Sequence, residues 1–169
     1  MSELETAIAE LIREYQAKAG KLLTIGTVES ATGGRIADRL TNVAGSSDYY
    51  KGSVVAYTNE VKINVLGVRR QTIENYGAVS EQTAIEMAQS GRELLGVNIC
   101  ISDTGIAGPS GATPEKPVGL FYIGLSAEGE SLSQRHVFPG NREENKQSAA
   151  EAALNILKQY LLSLNLDKG

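Results

Sequence analysis

Leu22-Leu23-Thr24-Ile25-Gly26-Thr27-Val28-Glu29-Ser30-Ala31-Thr32-Gly33-Gly34 decides the fold. An apolar run, Leu22 to Val28, reads as a buried strand, and two glycines then lead into a helical pattern, Gly34 to Leu40, with Ile36, Ala37 and Leu40 on one face. A strand passing directly into a helix is the unit of an α/β sheet. In open α/β sheets ligands bind beyond the carboxyl ends of the strands, beside helix N–H groups that lack intrahelical acceptors. Ser30 stands at that junction, either as a helix cap or as a nucleophile.

The same alternation extends in both directions. Leu4, Ala7, Ile8, Leu11, Ile12 and Tyr15 recur at helical spacing, and this first helix stops near Gly20. Gly52 to Tyr57 reads as a strand, with Asn59 capping a helix through Leu66. Ser80 is an N-cap for a longer helix to Leu95, and Glu81 stands in its first turn. Val97 to Ser102 is an apolar strand. Thr104 to Gly119 follows as a glycine-rich loop holding three of the chain's four prolines. Val118 to Ser126 and Ser133 to Phe138 flank Ala127-Glu128-Gly129-Glu130 as a hairpin, and a last helix runs from Arg142 to about Leu162. Alternating elements with one hairpin predict a single-domain α/β fold, a three-layer α/β/α sandwich with a mixed sheet. The order of strands is not legible from this pattern.

Composition narrows the classes. A chain of 169 residues buries a sizeable core without disulfides, and the lone Cys100 supplies neither a disulfide framework nor a cysteine metal site. No apolar run approaches the roughly 20 residues of a membrane span, and the N-terminus mixes acidic with helix-spaced apolar residues, unlike a signal peptide. A cytoplasmic protein is expected. Net charge is −4, from 20 acidic and 16 basic residues, which argues against general nucleic-acid binding and leaves room for a local basic pocket.

The chemistry of Ser30 depends on finding it a base. The segment lacks the Gly-x-Ser-x-Gly pattern of hydrolase elbows, and no Gly-Lys-Ser/Thr follows to make a P-loop. His136, the only histidine, lies in a distant strand and reads as structural. A lysine serves when burial lowers its pKa, and Tyr57-Thr58-Asn59-Glu60-Val61-Lys62 sets one at a second strand-to-helix junction. Taken alone, Lys62 reads as a solvated lysine and Tyr57 as core. The glycine-rich loop offers backbone N–H groups for an anion or oxyanion, or is a proline-stiffened surface loop. Arg142, at the start of the last helix, suits a phosphate or caps in solvent. Thr32, Gly33 and Gly34 at the first junction, with Thr104 and Gly105 at the head of the loop, are candidate substrate-binding positions. Oxyanion donors are sought near Gly33 and Gly105.

Five segments occur together and in order. They are Val28-Glu29-Ser30-Ala31-Thr32-Gly33-Gly34, Ala44-Gly45-Ser46-Ser47, Tyr57 to Lys62, Gly77-Ala78-Val79-Ser80 and Thr104 to Gly119. In these the chain resembles the CinA C-terminal domain family, the nicotinamide-nucleotide amidases, over roughly Leu4 to Leu162. The resemblance implies hydrolysis of the carboxamide of nicotinamide mononucleotide to nicotinate mononucleotide and ammonia, in pyridine nucleotide recycling, with no cofactor and no catalytic metal. By position Ser30 resembles the family nucleophile, Lys62 the general base, Tyr57 the supporting hydroxyl and Arg142 the arginine on the phosphate. Ala31 stands where the family often has cysteine, so no thiol there is the nucleophile, and Ala112 replaces a frequent glycine. A small-molecule nucleotide as partner, no nucleic acid, no membrane and a homo-oligomer, a dimer favoured, are the matching expectations. Many members carry a larger N-terminal domain, whereas this chain opens on its own helix and reads as a stand-alone domain. The competing expectation is a catalytically silent nucleotide-binding or regulatory module linked to competence or DNA damage.

Overall fold

The computed structural model describes residues 3–166. In chain order the elements are α1 (Glu3–Ala19), β1 (Ile25–Glu29), α2 (Arg35–Thr41), a 3-10 turn (Ser46–Asp48), β2 (Tyr50–Val55) and α3 (Asn59–Val61), which widens into a π turn (Lys62–Leu66). There follow α4 (Arg70–Tyr76), α5 (Glu81–Leu95), β3 (Ile99–Gly105), β4 (Leu120–Ala127), β5 (Glu130–Val137) and α6 (Arg142–Leu166). The sheet has five strands in the order β2-β1-β3-β4-β5. β1 pairs parallel with both β2 and β3, whereas β3/β4 and β4/β5 are antiparallel. The expected mixed sheet in three layers is present.

Side chains alternate across the pleat, so each strand feeds two cores. Ile25, Ile99, Ile101, Phe121, Ile123 and Leu125 join Ile8, Ile12, Leu40, Leu154 and Leu157 from α1, α2 and α6 on one face. Val28 and Cys100 meet Met87 of α5 and Leu66 of the π turn on the other. Full burial of each large aliphatic contributes about 1.5–3 kcal/mol. α5 lies unusually close because Gly91 has no side chain: a Cβ there would stand 2.1 Å from Val28 Cγ2. Among the described residues no helix is long and apolar enough to cross a membrane.

Boundaries shift for identifiable reasons. β1 starts at Ile25, three residues later than hydrophobicity suggests, because Thr24 is held by Asn98: its N–H donates to Asn98 Oδ1 at 2.9 Å. β2 begins and ends two residues early. Thr58, not Asn59, caps α3, its hydroxyl accepting from the Val61 N–H at 3.3 Å. Ser80 caps α5 as expected, accepting from the Thr83 N–H at 3.1 Å. β3 continues to Gly105, so Asp103 and Thr104 belong to a strand rather than to a loop. α4 carries little apolar periodicity, with Thr72 its buried residue, and so gives no sequence signal. β4 begins at Leu120 and β5 at Glu130, tightening the hairpin, and α6 runs on to Leu166.

Candidate active site

The carboxyl ends of β1, β2 and β3 come together with the start of α6. At the end of β1, the chain turns through Gly33 (φ 63°) and Gly34 (φ 105°), both in the left-handed region that glycine tolerates, before α2 begins. The fully buried Glu29 makes this turn possible. Its Oε1 accepts from the N–H groups of Gly34 (3.1 Å) and Ile36 (2.9 Å), and its Oε2 from that of Ala37 (3.0 Å). Glu29 therefore fills the first turn of α2, which is not left open to an outside anion.

Ser30 is 7% exposed and Lys62 2%. Lys62 Nζ stands 2.8 Å from Ser30 Oγ, 3.0 Å from the Ala56 carbonyl and 3.3 Å from the Tyr57 carbonyl. Burial pushes the Lys62 amine below its ordinary pKa, against a raising influence from Asp103. The three contacts serve both protonation states of the amine. As an ammonium, Nζ donates to Ser30 Oγ and to both carbonyls; once it loses a proton, two hydrogens still meet the carbonyls and the lone pair faces the Ser30 hydroxyl.

Behind the pair lies Asp103, which is completely buried and which sequence reasoning missed. Its Oδ1 accepts from the Ser30 N–H at 2.9 Å and its Oδ2 from the Thr32 N–H at 3.1 Å, so one carboxyl grips the backbone on both sides of Ala31. Burial lifts Asp103 to about 6, opposed by hydrogen bonds from the Thr32 hydroxyl and from the N–H groups of Ser30 and Thr32. A signal was present only in the acid itself, set in an otherwise apolar and hydroxyl-bearing strand.

Ser30, Ala31, Tyr57, Gly105, Ile106, Ala107, Gly108, Ser110, Gly111 and Arg142 line a cavity of about 250 Å³. Tyr57 is 56% exposed, not core, and its hydroxyl accepts from Arg142 Nη2 at 2.9 Å; its carbonyl, not its hydroxyl, faces Lys62. Arg142 Nη1 also donates to the Gly108 carbonyl at 2.8 Å, so the guanidinium spans from α6 to both neighbouring loops. A second hollow of about 580 Å³ lies against Arg142, Gly108 and Pro109.

Several candidate positions face elsewhere. Thr32 is fully buried, with its hydroxyl committed to Glu29 and Asp103, and does not line the cavity. The Thr104 hydroxyl donates to the Ala78 carbonyl at 2.6 Å, on the α5 side of the sheet. The Gly33 N–H is taken by the Ser30 carbonyl at 3.1 Å and that of Gly34 by Glu29, so neither donates to the cavity. Gly105 does line it. The N–H of Ala31, also at the wall, meets no acceptor among the described residues. Lys116 anchors the glycine-rich loop by donating to the Tyr76 carbonyl at 2.7 Å. His136 lies in β5 stacked on Phe138, with ring centroids 5.4 Å apart, and takes no part. Among the described residues no group of three or more His, Cys, Asp or Glu side chains is gathered to hold a metal ion.

Residues 4–161 match the model of the CinA C-terminal domain. The chain belongs to that family. A CinA-like protein of Sulfurihydrogenibium sp. (strain YO3AOP1) is 43% identical over 161 residues, covering 95% of this chain and 39% of the relative. A putative competence-damage inducible protein of Thermoanaerobacter sp. (strain X514) is 41% identical over 165 residues, 98% of this chain and 38% of the relative. The chain thus spans about two-fifths of the length of these curated relatives. Among solved structures, competence/damage inducible protein CihA from Agrobacterium tumefaciens superposes with a TM-score of 0.85 at 36% identity, covering 98% and 97% of the two chains. A CinA superfamily protein from Enterobacter cloacae gives a TM-score of 0.86 at 29% identity, covering 94% and 90%.

Proposed function

We propose that this CinA-family domain is an amidohydrolase that converts nicotinamide mononucleotide to nicotinate mononucleotide and ammonia, with Ser30 as nucleophile and Lys62 as general base. The observation that carries this reading is the 2.8 Å contact between Lys62 Nζ and Ser30 Oγ, made where burial favours the free amine.

As Ser30 Oγ bonds to the amide carbon, its proton passes to Lys62. The carboxamide oxygen gains the negative charge and meets the Ala31 N–H at the cavity wall, in place of the Gly33 donor. Collapse breaks the C–N bond while Lys62 returns the proton to the departing nitrogen, which leaves as ammonia. Water then attacks the acyl ester, giving its proton to Lys62. Ser30 Oγ takes that proton back as the C–O bond breaks, and the acid released gives its own proton to solvent to become the carboxylate. The pyridinium charge of the substrate makes its carboxamide more electrophilic than a neutral amide, which suits a lysine base. Arg142, with Tyr57 beside it, is assigned to the phosphate; to bind it, the guanidinium exchanges its contacts with Gly108 and Tyr57 for the anion.

Ammonia release measured over nicotinamide mononucleotide, the riboside and free nicotinamide tests this reading. Turnover with preference for the mononucleotide is expected. Calorimetric binding of the mononucleotide without ammonia would instead establish a silent nucleotide-binding module.

A further inference from the structure

The Thr32 hydroxyl has one hydrogen and two carboxyl groups that claim it. Its Oγ1 lies 2.7 Å from Glu29 Oε1 and 2.5 Å from Asp103 Oδ1, and all three side chains are buried. With both carboxyls ionised, one of these contacts would set oxygen lone pairs against each other with no hydrogen between them, among fully buried side chains. One further proton removes the conflict. We propose that Asp103, Thr32 and Glu29 hold one shared proton seated on Asp103, so that Asp103 positions Ser30 as a neutral acid and not as a counter-ion for Lys62.

The donor inventory chooses the seat. Glu29 collects three backbone N–H groups at the start of α2, with the hydroxyls of Thr27 (3.2 Å) and Ser53 (3.4 Å) also in reach, and is the better-solvated anion. Asp103 has only the two N–H groups of Ser30 and Thr32. As an acid, Asp103 Oδ1 donates to Thr32 Oγ1, which donates to Glu29 Oε1, while the two N–H groups still find their oxygens. Burial lifts the Asp103 carboxyl to about 6 even with the Thr32 hydrogen donated to it. With that hydrogen given to Glu29, Asp103 loses an opposing contact and holds its proton to higher pH.

The surrounding groups leave this assignment undisturbed. Glu29 of β1 and Lys62 of the π turn are the charged groups acting on Asp103. β2 presents Tyr50, whose hydroxyl is 3.2 Å from Thr27 Oγ1, and α6 presents neutral Asn145 and, 3.7 Å from where a Gly33 Cβ would stand, the Lys146 ammonium. α2 turns Arg35 toward Glu143 and Arg39 toward Glu5 and Glu151, away from the site. The consequence falls on Lys62. An ionised Asp103 would raise the pKa of the amine against the effect of burial, whereas a neutral one removes that influence and favours the free base that the proposed reaction requires. The inference rests on that reaction for its purpose and not for its test.

Two measurements on the full chain read it without turnover. Infrared spectra near neutral pH, with and without carboxyl-labelled aspartate, should show a protonated carboxyl band that moves on labelling and is lost in Asp103→Asn; of the other three aspartates, Asp38 and Asp48 are exposed and Asp167 lies outside the described residues. Absence of any aspartic acid band, or its persistence in the variant, overturns the proposal. Lysine-labelled NMR then follows the Lys62 amine in wild type and Asp103→Asn. Because the amide matches the neutral acid in charge, the two midpoints should coincide. A midpoint roughly one to three pH units lower in the variant, the response to losing a nearby negative charge, overturns it. If the band is present and no ammonia is released from any substrate, the amidase reading fails while the proton assignment stands. Turnover without the band has the opposite meaning.

Discussion

Two hydrogen-bonded pairs stand at the same end of the sheet, and water rather than length separates them. Ser30 and Lys62 are 2.8 Å apart and nearly buried, with Ser30 at the cavity wall; Tyr57 and Arg142 are 2.9 Å apart and largely open to solvent. In the dry pair, desolvation has few ways to be relieved, so it appears as a lowered amine pKa and a fixed geometry. In the open pair, water replaces either partner at little cost, and the guanidinium is free to leave its tyrosine for a better anion. The same contact thus serves reactivity in one place and exchangeable binding in the other. Burial decides which.

The comparison breaks most sharply through Lys62→Met, which keeps the bulk of the side chain and removes the base. Loss of kcat/KM by roughly 10³–10⁴-fold is expected for ammonia release, since a base acting as one unit with its nucleophile is not replaced by water. A loss under tenfold would mean the dry pair is structural. The pH profile sharpens the same point. Only neutral Lys62 accepts the Ser30 proton, so kcat/KM should rise with pH as the amine deprotonates, with a midpoint below the ordinary lysine value near 10.4. A limb at that ordinary value would show that burial does not act.

Stability should divide the two regions in the same way. Glu29→Ala leaves three backbone N–H groups of α2 without their acceptor, at a cost of roughly 2–5 kcal/mol, read as a large fall in Tm. Arg142→Ala, on the open side, should change stability by less than about 0.5 kcal/mol. Its effect belongs to binding: KM for the mononucleotide should rise roughly 10–100-fold, the range of a charge-assisted contact of about 1.5–3 kcal/mol, with kcat little changed. An unchanged preference for the mononucleotide over the riboside would remove Arg142 from the phosphate. Tyr57→Phe is the mildest change, a few-fold in KM, because the hydroxyl it deletes faces Arg142 rather than Lys62.

Legibility in the sequence followed the locality of the forces. The strand-turn-helix at Ser30 and the cap at Ser80 were readable because their pattern and partners lie within a few residues. Lys62 could be named from its place after a strand, although its contact with Ser30 spans 32 positions. Asp103 was not readable, because what makes it unusual is its grip on residues 71 and 73 positions away. Thr32 and Thr104 misled in the opposite direction. A threonine beside a glycine-rich turn looks ready for a ligand, and nothing local reveals that its hydroxyl is already spent on Glu29 and Asp103, or on Ala78. Strand order was hidden for a similar reason. That β1 lies between β2 and β3 depends on how the crossovers pack over both faces, not on the composition of any strand.

The most direct measurement is the rate of ammonia release from nicotinamide mononucleotide by Ser30→Ala, set beside wild type at one pH and with equal folding by circular dichroism. Removal of the nucleophile should lower turnover by roughly 10⁴-fold or more. Turnover within a few-fold of wild type would contradict the account at its centre, since water would then be attacking the amide without Ser30.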